Sequence, residues 1–390
     1  MNPSQLAEVV EAMRMPRFTA SQIAKWLYEK RAVSIDEMTN LSKDNRRRLA
    51  EQYVVGREAP AGEMRSSDGT VKYLFRAYGG KMIESVYIPD GDRATLCVSS
   101  QVGCKMNCSF CATGKQGFHG NLSAAEIINQ IFSIPESETL TNIVFMGMGE
   151  PMDNLSEVLK AVDVLTAKWG LAWSPKRVTV SSIGKLAELQ QLVEKTDVHI
   201  AISVHSPYHQ EREKLMPVEK AYPVKKVMEL AKKYGKKIYA LVSNMSLAAE
   251  RRDFLKQFDC FICNRQEAGM FFFDDYSGKS REEMRDILAE KVVQAQIPAM
   301  VVTLGGEGAV YADMQGTKGY CPAIDVQVKD TTGAGDAFCA GVSIGLTYGK
   351  SLPEAIDIGA QLAASVITSS ENVCPRFLPR ELGLDIEVED

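Results

Sequence analysis

The sequence predicts an α/β fold behind a small helical module. From residue 142 onward, short apolar runs alternate with amphipathic helical stretches, as in a strand at 142–146 followed by a helix over about 155–168. Glycine or polar residues follow several of these strands directly, which is typical of a (β/α) barrel whose site lies at the carboxyl ends of its strands. With 390 residues, 45% of them hydrophobic, the chain is long enough for two or more domains.

The beginning of the chain differs from this α/β pattern. Apolar residues recur at helical spacing over 6–13 and again over 20–28, which predicts a small helical module. Residues 71–76 and 82–88 then alternate in the manner of two strands around a pair of glycines. We therefore expect a helical part followed by a β-hairpin that leads into the segment with most of the cysteines.

Composition narrows the class of protein. A net charge of -5 and a pI near 5.7 argue against bulk electrostatic binding of nucleic acid, so an RNA contact must come from local basic patches. Three arginines at 46–48 can meet phosphate, although their pattern favours a solvated helix face. We see no membrane-spanning run and no secretory leader, and nine cysteines fit a reducing compartment, so we expect a cytoplasmic protein.

Three cysteines, Cys104, Cys108 and Cys111, are spaced C-x3-C-x2-C in a predicted loop. Each thiolate can hold one iron of a [4Fe–4S] cluster. The fourth iron would be free to chelate S-adenosylmethionine (SAM), and an electron from the reduced cluster can then cleave the sulfonium to give a 5′-deoxyadenosyl radical. A zinc knuckle or structural cysteines are the alternatives, but zinc prefers four ligands, and no fourth cysteine or histidine stands at a usual spacing.

The strand at 142–146 ends in Gly-Met-Gly-Glu-Pro, the next candidate site. Gly147 and Gly149 let the backbone approach a cofactor closely, and Glu150 can accept a hydrogen bond from the SAM ammonium. Alone, this motif would more often be a tight turn; the cysteine loop before it favours a site. Considered without the other motifs, His205 would be interpreted as an ordinary histidine at a strand end. Glu84 alone would be interpreted as a solvent-facing carboxylate on a strand.

These motifs together resemble the RlmN/Cfr family of radical-SAM RNA adenine-C2 methyltransferases. The resemblance covers residue 1 to about 230 and rests on the stretch 93–104, the cysteine loop, and the motifs at 147–151, 177–181 and 201–205. It implies a helical N-terminal module with strand entry at 1–80, a partial radical-SAM (β/α) barrel at 81–230, and rRNA or tRNA as partner. It further implies a [4Fe–4S] cluster on Cys104, Cys108 and Cys111, and SAM bound by Gly149, Glu150, Ser181, Ser203, Val204 and His205.

The same resemblance assigns chemistry to two further residues. Glu84 matches the family's catalytic glutamate, and Cys97 matches a cysteine that can pair with the methyl-carrying cysteine. The family should continue past residue 230 with two more barrel strands, an Asn-Pro segment of the SAM site and an Ala-Cys-Gly segment whose cysteine carries the methyl group. This chain has none of them, because Cys321, Cys339 and Cys374 stand in other contexts. We therefore expect methyl transfer to be impaired.

Residues 231–390 resemble the C-terminal part of the PfkB/ribokinase-like carbohydrate and nucleoside kinases. The strongest signal is Asp-Thr-Thr-Gly-Ala-Gly-Asp-Ala-Phe at 330–338, since glycines at a helix start offer backbone N–H groups to phosphate. Asp336 would accept the proton of an acceptor hydroxyl as catalytic base. The family's N-terminal half, which supplies most sugar contacts, is missing. The resemblance implies binding of ATP and Mg²⁺, a sugar or nucleoside acceptor, and cofactor contacts at Asn264, Glu267, Gly305, Gly333, Ala334 and Gly335.

Some features of this second part have two interpretations. A predicted strand at 238–243 can be the fifth barrel strand or the first strand of the kinase-like segment. The pair Cys260 and Cys263 can be a redox or zinc site, but a lone C-x-x-C in a strand favours buried packing.

The chain thus has the organisation of a chimera, the front of one enzyme joined to the back of another. Three functions follow: a radical-SAM RNA methyltransferase, which we place first, an ATP-dependent phosphotransferase, or a non-catalytic chimera that binds cluster and nucleotide.

Overall fold

A computed structural model of the chain describes residues 1–90, 93–206, 208–241, 256–368 and 379–384. The chain divides into two compact units, Met1–Val227 and Met228–Asp390. The helices of the first unit are α1 (Pro3–Ala12), α2 (Thr19–Ala24), α3 (Lys43–Ala50), α4 (Ala112–Lys115), α5 (Ala124–Phe132), α6 (Leu155–Thr166), α7 (Leu186–Lys195), α8 (His209–Leu215) and α9 (Val224–Lys233), within which the boundary between the units falls. Its strands are β1 (Gly62–Arg65), β2 (Val71–Arg76), β3 (Met82–Asp90), β4 (Arg93–Cys97), β5 (Gln101–Gly103), β6 (Phe118–Asn121), β7 (Asn142–Phe145), β8 (Val178–Ser182) and β9 (His199–Ile202).

Local capping sets the start of the helical module. The Asn2 side chain accepts from the Gln5 amide while the Gln5 side chain accepts from the Asn2 amide, so α1 begins with a reciprocal capping box. Two arginines of the run at 46–48 are used inside this module: Arg46 donates to the Asp36 carbonyl and Arg48 to the Met13 carbonyl. A π-helical turn, Lys25–Glu29, continues α2.

The first unit is built on a seven-stranded sheet of order β1-β2-β3-β4-β7-β8-β9. Its first four strands are antiparallel neighbours, which confirms the predicted hairpin over β2 and β3. From β4 onward the strands are parallel, as in the partial barrel that the sequence predicts. The cysteine loop lies between the strands of a separate hairpin, β5 with β6. In the described part of the chain, β9 is the last strand of the large sheet.

Strand β9 ends at Ile202, so the motif at 201–205 extends past the end of the strand. The Ser203 amide still donates to the Ser182 carbonyl, but the Ser206 amide turns back to the Val204 carbonyl. His205 between them has a φ of 58°, in the left-handed region, so the extended backbone ends here. The family-matched residues Ser203, Val204 and His205 therefore lie in a turn after the strand.

The second unit has its own five-stranded sheet, of order β10-β11-β12-β13-β14. The first three strands are parallel and the last two run antiparallel to their neighbours. Strand β10 pairs with β11 in this sheet, so the strand predicted at 238–243 belongs to the kinase-like segment; residues 242 and 243 lie outside the described residues. The elements are β10 (Tyr239–Leu241), β11 (Cys260–Asn264), α10 (Arg265–Phe272), α11 (Arg281–Ala295), β12 (Ala299–Thr303), β13 (Ala309–Asp313), β14 (Lys318–Cys321), α12 (Ala334–Thr347) and α13 (Leu352–Ile367).

Helices cover both faces of this second sheet. Alternate residues of β11 point to opposite layers: Phe261 and Cys263 pack with residues of α10 and α11, whereas Cys260 and Ile262 pack with residues of α12 and α13. Both cysteines are buried, and burial raises the pKa of Cys260 to about 12. Because the two thiols lie on opposite faces, the buried-packing interpretation of the C-x-x-C pair is confirmed.

None of the helices within the described ranges combines the length and the apolar character needed to cross a membrane.

Candidate cluster and cofactor site

The cysteine loop starts from a tight hairpin base. Gly103 has a φ of 72°, and a Cβ there would lie 1.8 Å from the carbonyl oxygen of Gly117, so no other residue fits without moving the backbone. The Cys104 amide donates to that same carbonyl at 3.1 Å. Cys104 and Cys108 are buried and Cys111 is half-buried. The hairpin thus brings all three predicted ligands into one short loop.

Burial and neighbouring acidic groups favour the protonated form of Cys104 and Cys108. Burial, with smaller contributions from nearby Cys111 and Glu150, raises the pKa of Cys104; burial and the neighbouring Cys104, Cys111 and Glu150 together raise that of Cys108 to about 11. A buried group of acidic side chains favours protonation, and a coordinated metal centre reverses that preference by holding thiolates. Three soft sulfur donors in one loop, without a fourth at a usual spacing, fit a cluster that keeps one iron open.

No three His, Cys, Asp or Glu side chains among the described residues converge closely enough to hold a single metal ion. Ligands that each bind a different iron of a cluster stand farther apart than ligands that share one ion. The finding therefore bears on single-ion sites, such as a zinc knuckle.

Glu150 follows β7 and is almost fully buried, with 4% of its surface exposed. Its carboxylate accepts from the amides of Met152 and Ile183, at 3.2 and 3.1 Å. Burial nevertheless raises its pKa to about 7. Gly149 before it has a φ of 100°, and a Cβ there would lie 2.5 Å from the Cβ of Gln101. Gln101 itself is fully buried and accepts from the Glu150 amide, so sequence reasoning missed a residue that holds this loop.

The other predicted SAM residues lie at the ends of two neighbouring parallel strands. Ser181 is in β8, and the turn of Ser203, Val204 and His205 follows β9. The imidazole of His205 lies against the ring of Phe110, with 4.3 Å between centroids. Partial burial and the nearby Arg212 charge lower the pKa of His205, which keeps the ring neutral near pH 7. Phe110 precedes the third cysteine directly, a position that could have singled it out in the sequence.

Glu84 lies in β3, and its carboxylate pairs with Lys72 at 3.3 Å, with both side chains about half exposed. The fully buried Ser99 hydroxyl donates to the Glu84 carbonyl and accepts from the Met148 amide, which connects this strand to the glycine-rich loop. The exposure agrees with a solvent-facing carboxylate, and the catalytic role of Glu84 stays a prediction. Cys97 ends β4, and burial raises the pKa of its thiol.

A buried carboxylate that the sequence did not reveal connects the cysteine loop to the barrel. Asp153 has 2% of its side chain exposed and lies 3.0 Å from the Lys105 ammonium and 2.5 Å from that of Lys185. Lys105 directly follows Cys104, and Lys185 follows β8. One carboxylate thus pairs with lysines from two separate segments of the site.

In the second unit, Asn264 and Glu267 cap helix α10 reciprocally. The Asn264 side chain accepts from the Glu267 amide at 2.8 Å, and the Glu267 carboxylate accepts from the Asn264 amide at 2.7 Å. Their predicted role toward magnesium and phosphate stays a prediction. Gly305 begins a short 3-10 turn with a φ of 63°.

The glycine-rich motif opens helix α12. Gly333 is the N-cap residue, with a φ of 80°, and no side chain caps the helix. Ala334, Gly335 and Asp336 form its first turn. The positive end of a fourteen-residue helix therefore begins at the motif that the sequence singled out.

Three family models match this chain. The ribosomal RNA large subunit methyltransferase N-terminal domain matches residues 1–55, the radical SAM superfamily matches 98–247, and the pfkB family carbohydrate kinase matches 215–374. The relatives found include a probable dual-specificity RNA methyltransferase RlmN of Bacteroides thetaiotaomicron, 58% identical over 59% of this chain and 67% of the relative. The dual-specificity RNA methyltransferase RlmN of Marinomonas sp. is 39% identical over 67% of this chain and 77% of its own length.

Among solved structures, a radical SAM methyltransferase from Sphaerobacter thermophilus matches with a TM-score of 0.62 and 31% identity, over 77% of this chain and 93% of that chain. This likeness supports the fold class that the sequence predicts. The chain therefore belongs to the RlmN family of radical-SAM RNA methyltransferases through its first 230 or so residues, and it carries a pfkB-type carbohydrate kinase domain at residues 215–374.

Proposed function

We propose that the first unit holds a [4Fe–4S] cluster on Cys104, Cys108 and Cys111, binds SAM beside it, and cleaves SAM reductively. The observation that carries this proposal is that Cys108 and Cys111 pack in one cluster with Ile183, whose amide donates to the Glu150 carboxylate. When bound, the reduced cluster supplies the electron that breaks the sulfonium bond of SAM.

The chain's own residues orient SAM. The Glu150 carboxylate, already held by two amides, accepts from the SAM ammonium, whose positive charge favours the ionised carboxylate despite burial. Gly149 leaves the backbone open beside it. The neutral His205 offers a ring nitrogen lone pair. Ser181, in β8, and Ser203, directly after β9, carry hydroxyls that can each donate or accept a hydrogen bond.

Methyl transfer to RNA is impaired in this chain. The named relatives are RNA methyltransferases, and adenine in rRNA or tRNA is the substrate class that we assign, with Glu84 as the catalytic carboxylate. A methyl-carrying thiol must ionise to accept a methyl group. Burial raises the pKa of Cys339, and that of Cys321 to about 12, while Cys321 donates to Asp357. Cys374 lies outside the described residues.

A phosphotransferase activity is the second candidate, favoured by the uncapped start of α12 at Gly333. The amides of Gly335 and Asp336 in its first turn would offer hydrogen bonds to ATP phosphate oxygens, and the Asp336 carboxylate would take a proton from a sugar or nucleoside hydroxyl. Asn264, Glu267 and Gly305 complete the proposed ATP and Mg²⁺ side. Equilibrium dialysis with ATP and Mg²⁺ tests it: saturable binding that is lost in Gly335→Val supports the site, and no binding by the unaltered chain contradicts it.

The test of the leading proposal is the formation of 5′-deoxyadenosine. Anaerobically reconstituted protein, reduced with dithionite and given SAM, should release 5′-deoxyadenosine. Cys104→Ala, Cys108→Ala and Cys111→Ala should abolish the product and lower the bound iron, whereas Cys263→Ala in the second unit should change neither. A product that survives in Cys108→Ala would contradict the assignment of the cluster ligands.

A further inference from the structure

We propose that Arg212 is a positioning residue that couples the SAM-binding strand ends to the cysteine loop. The inference rests on the proposed function of this site, because it concerns how SAM and the cluster are held in register. Arg212 lies in α8, within a stretch that we call the brace, residues 209–222, which follows β9 and contains α8 and the 3-10 helix Pro217–Lys220. None of the motifs identified in the sequence includes this residue.

Arg212 is fully buried, and its guanidinium donates hydrogen bonds to backbone carbonyls. Its Nη2 donates to the Ile183 carbonyl at 2.8 Å and to the Ser203 carbonyl at 2.9 Å, and its Nε donates to the Val204 carbonyl at 3.0 Å. Ile183 follows β8 directly, and Ser203 and Val204 follow β9. A rigid, planar donor fork of this kind fixes two strand ends relative to each other.

The charge of Arg212 is satisfied inside the brace. Glu219, with 2% of its side chain exposed, accepts from Arg212 Nη1, and it also accepts from the Val224 amide at 3.0 Å. His209 Nδ1 lies 3.1 Å from the second carboxylate oxygen. A buried ion pair gives little net stability compared with an apolar core, so its complete hydrogen bonding favours a specific geometric role.

The other end of α8 holds the cysteine loop. The Ser109 amide, directly after the second cysteine, donates to the Leu215 carbonyl at 2.9 Å. Met216 is fully buried and packs in one cluster with Cys108 and Ile183. Within five residues, the brace therefore contacts the strand ends through Arg212 and the cysteine loop through Leu215 and Met216.

The position of β9 explains why such a brace matters. In the part of the chain that the structure describes, β9 pairs only with β8, because it is the last strand of the sheet. A strand end with one neighbour has fewer hydrogen bonds to fix it than an interior strand end. Arg212 supplies two of the missing contacts, to Ser203 and Val204, at the residues next to His205.

Arg212→Lys tests the inference, because lysine keeps the charge and loses the donor fork. Arg177→Lys is the matched control: Arg177 donates to the carbonyls of Thr141 and Leu140, just before β7 and at the opposite ends of the strands. Two quantities are to be measured on the reconstituted full chain. Equilibrium dialysis gives the SAM dissociation constant, and amide hydrogen exchange over residues 105–112 reports on the cysteine loop.

Arg212→Lys should raise the SAM dissociation constant by about tenfold, the effect of one well-made hydrogen bond to a charged group, and should speed exchange at the Ser109 amide. Arg177→Lys should change both by less than about twofold, even where its loss of global stability is similar. Equal effects of the two variants on the SAM dissociation constant, or unchanged exchange at Ser109 in Arg212→Lys, would overturn this inference and leave the proposed function of the site standing.

Absence of SAM binding by the unaltered chain would overturn the proposed function, and this inference with it. If Arg212→Lys does not fold, Glu219→Gln provides the second variant, since it removes the counter-charge and preserves the side-chain shape. It should speed exchange at Ser109 relative to Arg177→Lys, and protection equal to the unaltered chain would again contradict the coupling.

Discussion

The ring of Phe110 lies 4.3 Å from the imidazole of His205, measured between centroids. The contact joins the cysteine loop to the turn after β9, the two segments that the proposed function assigns to the cluster and to SAM. Phe110 is 52% exposed, so this ring is not simply part of the core. The left-handed backbone of His205 places its ring at the contact.

Phe110→Ala should weaken SAM binding because it removes an aromatic contact from the turn that carries His205. Such a pair contributes about 0.5–1.5 kcal/mol, which corresponds to roughly a two- to tenfold rise in the SAM dissociation constant. Phe18→Ala, at an exposed aromatic residue just before α2, is the control and should leave the constant unchanged. Equal affinities of the two variants would show that the contact has no role in SAM binding.

Substitutions at two glycines of the cysteine hairpin distinguish the cost of backbone strain from the cost of a steric clash. Gly103 and Gly117 have similar positive φ values, 72° and 75°, but a Cβ would clash only at Gly103. Gly117→Ala should cost about 1–2 kcal/mol in the free energy of unfolding, the ordinary cost of the left-handed region. Gly103→Ala should cost more and lower the iron bound after reconstitution. Urea unfolding and iron content measure both, and equal losses would contradict the close approach.

Asp153 should matter more than its neighbour Glu157, because only Asp153 is buried between two lysines. Asp153→Asn should lower the free energy of unfolding by about 2–3 kcal/mol, because it weakens the charged hydrogen bond from Lys185 and removes the ion pair with Lys105. Glu157→Gln, which weakens a pair with the half-exposed Lys160, should cost less than about 1 kcal/mol. Chemical unfolding of both variants decides the point, and the reverse order would refute this account of the loop.

The raised pKa of Glu150 should make the free energy of unfolding of the cluster-free protein depend on pH. Burial raises its pKa from 4.5 to about 7, so the folded state binds the proton more tightly than the unfolded state does. The resulting stability is complete below pH 4.5 and is lost as pH rises through 7, a change on the order of 3 kcal/mol. Glu150→Gln should lack this part of the decline between pH 5 and pH 8 in urea unfolding. Parallel declines in the two proteins would contradict the raised pKa.

The strands predicted at 71–76, 82–88 and 142–146 are present as β2, β3 and β7. The sequence predicted the cysteine loop and Glu150 from spacing and motif, since the chemistry of thiolates and carboxylates is visible in residue types. The partner of β10 could not be predicted, because an apolar run does not specify which sheet it joins. The structure assigns this strand to the second sheet through its pairing with β11.

The residues that the sequence did not reveal share a physical reason. Arg212 lies in a strongly polar helix among Glu211, Glu213 and Lys214, a pattern that suggests a solvated surface. Its guanidinium donates to the carbonyl of Ile183, 29 residues earlier, and to that of Ser203 after the neighbouring strand, a pairing that the local sequence pattern does not report. Asp153 is similar, because its two lysine partners come from segments about 30 and 50 residues away, a separation that periodicity does not report.

Reductive cleavage of SAM is tested by measuring two products in one reaction. Folded, iron-loaded and reduced protein is given SAM and adenine-containing RNA, and 5′-deoxyadenosine and the mass of the RNA are both determined. We predict 5′-deoxyadenosine above the level of the Cys108→Ala control, with no methyl gain in the RNA. Methylated adenine would contradict the proposed impairment of methyl transfer, and absence of 5′-deoxyadenosine would contradict reductive cleavage of SAM by this unit.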